Sequence, residues 1–515
     1  MKGSVRICLL LLAIGGVVHA QTFKTPIQHV IIVVQENRTP DNLFQDPTLL
    51  SNGADIQKAP SNAAGIALGS CWDIGHGHGS WNTELLDQQN GRGFCDDNVG
   101  GPAGCDPLAC SPDTYVSDPA IQPYWKLAET NGFANYMFQT NEGPSFLAHQ
   151  FLFGGSSAPV AYPTLLYNHF ASENMLNPAN SNEAGCIAPS GQQTKDIDAN
   201  GEEDFDYSYN GMLGYPCYDH GTLTDLVTAN HLSWRWYGFS KPGSIWNAPN
   251  AISHVCVPSN GNCTRSDWKN VDLKDTDIFA DIPNCKLANV SWVIPDGSYS
   301  DHPGGLREGG PDWVASIVSL VGNSNGACDN GKGYWNDTAI LITWDDWGGF
   351  YDHVPPYEQL IGCVNPTFGC GYVAGFRVPL IVVSAYTPAG YISGHCTPST
   401  NGQNNAEVCL NNKPPYWHDF GSILNFTEYV MGLPQGGISK TGPAWFFDDY
   451  WAQDYYKSGT PGCTQQLCPY GLSDFFNFGA APVAFTPVQA LTYHTAQDFI
   501  NLVGGQPEDP DNETP

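Results

Sequence analysis

The stretch Thr338 to Val354, TAILITWDDWGGFYDHV, constrains this chain most. It opens on Ala339-Ile340-Leu341-Ile342, an apolar run without alternation, the pattern of a strand buried on both faces of a parallel sheet. The run meets two adjacent carboxylates, Asp345 and Asp346, then Gly348-Gly349, then Asp352-His353. In open α/β sheets ligands collect at the carboxyl ends of strands. The stretch therefore reads as a strand delivering oxygen ligands and an imidazole into a crevice. A lone Asp-Asp pair reads more simply as an acidic turn, and what favours the crevice is a second stretch of the same design.

That second stretch lies near the start. Ile27 to Val34 is another unbroken apolar strand apart from Gln28 and His29, and it ends in Gln35-Glu36-Asn37-Arg38. A carboxylate and an amide at matching strand ends suit one divalent cation held between them. The plain alternative is a capped turn. Strands also fit 232–237, 290–294 and 378–384, and helices fit 124–130, 222–230, 311–321 and 421–431. Their alternation predicts an α/β fold: a doubly wound, mostly parallel sheet with helices on both faces and long disulfide-stapled loop insertions.

Between these elements lie further candidates. Cys71 to Trp81 carries His76 and His78 among glycines. Asn141-Glu142-Gly143-Pro144-Ser145 leads into helical spacing at Leu147, Ala148, Phe151 and Leu152, closed by Gly154-Gly155. Ser145 stands where a serine caps a helix, or where a nucleophile meets an anion at helix N–H groups. A glycine-rich loop carries Asp301-His302-Pro303.

Composition excludes some partners. The 20 basic against 51 acidic residues give a net charge of −31, which disfavours nucleic acid and anionic membranes. Residues 1–20 read as a secretory signal: Lys2 and Arg6, an apolar middle from Ile7 to Val18, and Val18-His19-Ala20 for cleavage. No transmembrane segment is expected, so the protein is read as secreted, extracellular or periplasmic. Of 17 cysteines, Cys8 falls in that signal and leaves 17 − 1 = 16, an even count that suits disulfides in an exported chain. Close spacing suggests Cys256 with Cys263, Cys363 with Cys370, Cys396 with Cys409 and Cys463 with Cys468. The domain reading is 21–440 catalytic, 441–505 a C-terminal extension packed on it, and 506–515 a disordered tail.

The ordered set E-N-R, P-S, D-H-P, D-D-x-G-G-F-x-D-H-V and G-x-R-V-P resembles the bacterial phosphoesterase family of secreted acid phosphatases and phosphatidylcholine-cleaving phospholipases C, within the alkaline phosphatase-like superfamily. The blocks span roughly residues 25 to 435. The resemblance implies a metal set of Glu36, Asn37, Ser145, Asp345 and Asp346, with Ser145 also the nucleophile. It implies active-site roles for His78, His302 and His353, with Asp352 and Arg377 in support. Two departures stand out: Asp346 replaces the usual Glu, and Phe-Leu-Ala-His-Gln follows Ser145 where His-Pro-Asn or Gln-Pro-Asn is common.

The chemistry implied is in-line attack by Ser145 on phosphorus, a phosphoserine, and its hydrolysis, with one divalent ion (Ca, Mg, Mn or Zn) and a phosphate-ester or phospholipid substrate. Two alternatives remain. A sulfatase-like ester hydrolase would need a C/S-x-P-x-R pattern, which Cys396-Thr397-Pro398-Ser399-Thr400 begins without the arginine. A non-catalytic secreted carbohydrate-binding protein would use the 15 Trp and 24 Tyr as sugar platforms.

Overall fold

A computed structural model describes residues 23–488 except 60–64, 91–98, 101–104, 106–111, 161–168, 174–182, 198–202, 206, 239–240, 242, 305–306, 325, 327, 329–330, 357–373, 396–415, 435–437 and 439–470. The signal reading, the three cysteine pairings beyond residue 360 and the tail lie outside the described residues.

The main sheet contains β1 (His29–Gln35), β2 (Gly132–Ala134), β3 (Trp234–Tyr237), β4 (Val271–Asp272), β5 (Val290–Val293), β6 (Thr338–Trp344), β7 (Leu380–Ser384) and β8 (Tyr391–Ser393). Its order is β4-β3-β5-β1-β6-β7-β2-β8. Five neighbouring pairs are parallel, and β7 runs against both β6 and β2. The sheet is therefore mostly parallel, as the alternation of strands and helices predicts.

The helices that matter for the site are α1 (His78–Gln89), α2 (Gln122–Thr130), α3 (Ser145–Gly154), α4 (Leu223–Ala229), α5 (Gly310–Gly322) and α6 (Phe420–Val430). They cover both faces of the sheet. Trp292 of β5 pairs with Ile32 in register, and its indole donates to the Leu152 carbonyl of α3 at 3.0 Å. Gln35 is an odd number of residues further along β1, so it faces the other way. Its amide donates to the Tyr124 hydroxyl of α2 at 2.7 Å. Hence α3 and α2 lie on opposite faces, with α6 and α4 beside α3 and α5 beside α2. Double coverage explains why β6 is buried at all seven positions and shows no alternation.

Cys256 pairs with Cys263, as close spacing suggests. The other described disulfides, Cys71–Cys105, Cys186–Cys217 and Cys285–Cys328, close separations of 34, 31 and 43 residues. Spacing alone does not reveal bridges of that length. The described part of the C-terminal region, residues 471–488, lies on the β7 side of the sheet, where Val483 N–H donates to the Ala385 carbonyl at 2.7 Å. Among the described residues no helix is long and apolar enough to cross a membrane.

Candidate active site

The two acidic turns meet because their strands are neighbours. Gln35 and Trp344, the last residues of β1 and β6, are register partners, so Glu36-Asn37 and Asp345-Asp346 emerge side by side. Backbone bonds lock the turns together: Asp345 N–H to the Gln35 carbonyl at 2.9 Å and Arg38 N–H to the Asp346 carbonyl at 3.0 Å. The Asp345 carboxylate accepts from Asn37 N–H at 3.0 Å and from Asp346 N–H at 2.7 Å. Asn37 holds a left-handed φ of 60°, which asparagine tolerates better than most residues. Gly348, at φ 62°, passes so close that a Cβ there would lie 2.5 Å from the Asn37 carbonyl oxygen. That contact is the physical reason for the first glycine of the pair.

Helix α3 brings the serine. The residue capping α3 is Pro144, without a side-chain cap, and Ser145 is the first helical residue. Its hydroxyl faces the acidic turns, donating toward Glu36 Oε2 at 3.1 Å and Asp346 Oδ2 at 3.3 Å. One turn on, the His149 ring Nε2 lies 3.0 Å from Glu36 Oε1 and 3.7 Å from Asp345 Oδ2. The side chains of Glu36, Ser145, Asp345 and Asp346 therefore converge, sealed from solvent, and Asn37, also buried, joins them through its backbone N–H.

Two further histidines hold the Asn37 amide. Its Nδ2 lies 2.9 Å from His76 Nε2 and 3.1 Å from His302 Nε2. Each ring turns its Nδ1 to a backbone carbonyl, Ile74 for His76 and Pro303 for His302, at 2.6 Å. Those bonds place the proton on Nδ1 and leave Nε2 facing Asn37. Arg38, the third residue of the E-N-R block, braces this loop by donating to the Asp301 carbonyl at 2.8 Å and the Leu68 carbonyl at 2.7 Å. Behind it the Asp301 carboxylate accepts from the Tyr124 hydroxyl at 2.7 Å and the Trp344 indole at 3.2 Å. Burial pushes Asp301 up to about 7.

His78 is buried at the start of α1, its Nδ1 2.7 Å from the Glu142 carbonyl and its backbone N–H 3.0 Å from Glu173 Oε1. It thus braces the turn three residues before Ser145. Burial lowers His78 and, with Glu203 nearby, raises Glu173 to about 7.

His353 is placed differently from the expectation of a phosphate-side residue. Its Nδ1 faces Asp41 at 2.8 Å and its Nε2 faces Asp55 at 3.2 Å. Burial alone would lower its pKa, but the hydrogen bonds to both carboxylates outweigh that and raise it to about 9. Asp352 and Arg377 belong to this same group: the guanidinium reaches Asp352 through Nε at 2.9 Å and through a terminal nitrogen at 3.0 Å, and Asp41 at 3.2 Å. Arg377 and His353 thus knit the 41–55 segment to the end of the 338–354 stretch, a supporting ion-pair group. The sequence pattern located the Asp-His pair and gave no sign of the two aspartates that occupy the ring.

Sequence reasoning passed over His149, and it singled out His76 beside His78 without giving it a role in the site. The signal for His149 was its place four residues after Ser145, hence on the same helix face. His76 shares its Gly-His-Gly-His run with His78, and periodicity does not separate them.

A cation fits this site. Three buried carboxylates drawn together repel one another. Two buried acceptors of the set, Asn37 Oδ1 and Asp345 Oδ2, receive no hydrogen bond, a costly condition that a cation would relieve. Carboxylates, an amide oxygen and a hydroxyl are hard donors suited to a divalent ion.

The chain belongs to the phosphoesterase family, whose model matches residues 107–434. The match takes in Ser145, Asp345 and Asp346; Glu36 and Asn37 precede it and reach the site through the sheet. The hemolytic phospholipase C of Pseudomonas aeruginosa is 24% identical over 306 residues, covering 52% of this chain and 37% of that protein. The non-hemolytic phospholipase C of the same organism is 30% identical over 276 residues, covering 48% of this chain and 33% of that protein. This chain therefore spans about a third of these relatives' lengths. A solved protein of the alkaline phosphatase superfamily from Vibrio parahaemolyticus superposes over 83% of this chain and 71% of its own, with 8% identity and a TM-score of 0.31, too low to define a shared fold.

Proposed function

We propose that this protein is a secreted, metal-dependent phosphoesterase that hydrolyses phosphate mono- or diesters, phospholipids among them, through Ser145. The observation that carries the reading is the Ser145 hydroxyl itself. It is buried, does not cap its helix, and sits within hydrogen-bond reach of Glu36 and Asp346. Family membership and the phospholipase C relatives agree with it.

Glu36, Asn37, Ser145, Asp345 and Asp346 would hold one divalent ion. When bound, such an ion favours ionisation of the serine hydroxyl and neutralises charge on the phosphoryl oxygens. Ser145 Oγ attacks phosphorus in line, its proton passing to the adjoining carboxylates. The bond from phosphorus to the ester oxygen breaks, and that oxygen leaves with the bonding pair and takes up a proton. On gaining a second proton at Nε2, the His302 ring, with His76 beside it, holds the phosphoryl oxygens or gives the leaving oxygen its proton. His78 acts by keeping the Glu142-Gly143-Pro144 turn in place. Water then attacks the phosphoserine, releasing phosphate or a phosphomonoester and restoring the hydroxyl. Positioning and fixed charge do most of this work.

The test is a substrate panel on wild type and Ser145→Ala, with and without chelator: an aryl phosphate, an aryl phosphodiester, phosphatidylcholine and an aryl sulfate. Chelator-sensitive cleavage of a phosphate ester, lost in the variant, supports the reading. Cleavage of the sulfate ester alone would indicate a sulfatase, and absence of all turnover a binding protein.

A further inference from the structure

His149 lies outside the set of oxygen donors implied by the family motifs, yet it points at two of them. Its Nε2 is 3.0 Å from Glu36 Oε1 and 3.7 Å from Asp345 Oδ2. Glu36, His149 and Asp345, all buried, each offer one ligand atom within 4.8 Å of the others. Ligand atoms about 2.0–2.2 Å from a shared cation stand about 3 to 3.5 Å apart in tetrahedral or octahedral arrangements. The 3.0 Å spacing lies in that range and the 3.7 Å spacing just beyond it. Asp345 Oδ2 accepts no hydrogen bond and is fully buried, so it has an unmet need on the side that faces His149.

We infer that His149 Nε2 is a nitrogen ligand of the cation, so that the site selects a borderline transition ion such as zinc, iron or nickel over calcium or magnesium. Imidazole suits those ions, whereas calcium and magnesium take oxygen. The inference rests on the reading of Glu36, Asn37, Ser145, Asp345 and Asp346 as a cation site. It adds a ligand and a class of ion to that reading. The fold makes the addition possible, because positions 145 and 149 share one face of α3 and both meet the acidic turns. The same helix thus supplies the hydroxyl and the imidazole, one turn apart.

The test uses the full-length mature protein, stripped of metal and reloaded. Zinc and calcium affinities are measured by competition with chromophoric chelators for wild type, His149→Gln and His149→Asn. The expected result is a fall of tenfold or more in the zinc-to-calcium affinity ratio in both variants, at least the scale of losing a residue that only supports a ligand. X-ray absorption at the zinc edge should show imidazole scattering in wild type and lose it in the variants. An unchanged ratio overturns the inference, as does imidazole scattering that is absent from wild type or persists in the variants. If both variants fail to fold, the wild-type zinc-edge spectrum decides alone. Aryl phosphate turnover is read separately. An all-oxygen site that still hydrolyses phosphate esters overturns only the role of His149, while a nitrogen-ligated ion in a protein without turnover overturns only the proposed activity.

Discussion

Gly348→Ala tests the joint between the two acidic turns. At φ 62° any L side chain is strained, by about 1–2 kcal/mol. A Cβ would also lie 2.5 Å from the Asn37 carbonyl oxygen and 2.6 Å from Asn37 Cβ, where 3.4 Å begins ordinary contact, so Asn37 must yield by about 0.9 Å. Overpacking of that kind adds about 1–3 kcal/mol, for a total of about 2–5 kcal/mol. Metal ligands tolerate displacements of only about 0.2 Å, so Asn37 Oδ1 should leave the proposed ligand set. Gly261→Ala is the control, because Gly261 also has a positive φ of 73° but nothing within 4 Å of its Cβ position. The assay pairs denaturant unfolding with cation titration. Gly261→Ala should lose only about 1–2 kcal/mol and keep its cation affinity. Gly348→Ala should lose more stability and at least tenfold in cation affinity. Equal behaviour of the two variants, or full cation affinity in Gly348→Ala, would refute the claim that this glycine sets the position of Asn37.

Two further expectations follow from the burial of charge and a third from a disulfide. Asp301, Glu173 and Asp275 are raised by burial to about 7, 7 and 8. A carboxyl raised on folding contributes stability that is complete below its ordinary pKa of about 4 and is lost as pH rises through the folded value. The melting temperature should therefore fall between about pH 5 and pH 8, with Asp301 alone contributing on the order of 4 kcal/mol, and a melting temperature that rises across that range contradicts this. Arg377→Met leaves Asp352 and Asp41 buried without their guanidinium and should destabilise by about 3–5 kcal/mol in urea unfolding. A loss below 1 kcal/mol would show those carboxylates to be satisfied otherwise. Cys71→Ser with Cys105→Ser opens a loop of 34 residues and should remove about 4 kcal/mol, read as a lowered melting temperature under non-reducing conditions.

Much of this arrangement was legible in the residues because it is periodic or local. The unbroken apolar runs of β1 and β6 announce strands covered on both faces, and parallel neighbours place whatever follows them side by side. That is why Glu36-Asn37 and Asp345-Asp346 were readable as one site across more than 300 residues. Ser145 was half legible: the helix start was evident, but the choice between capping and facing a site depends on Pro144 taking the cap position, which is set by the turn. His353 shows the converse. Its neighbours in the chain suggest an active-site imidazole, yet Asp41 and Asp55 take both ring nitrogens through a contact that only the fold creates. The longer disulfides escaped for the same reason: their partners are set by the folding of loops that carry no period.

The central claim is that Ser145 Oγ is the atom that takes the phosphoryl group. Rapid acid quench of wild-type protein during turnover of a phosphate ester, followed by peptide mass mapping, measures this directly. The account predicts one added phosphoryl group on the peptide containing Ser145, absent in Ser145→Ala. Steady turnover with no phosphopeptide, or a phosphoryl group found on another residue, would contradict it.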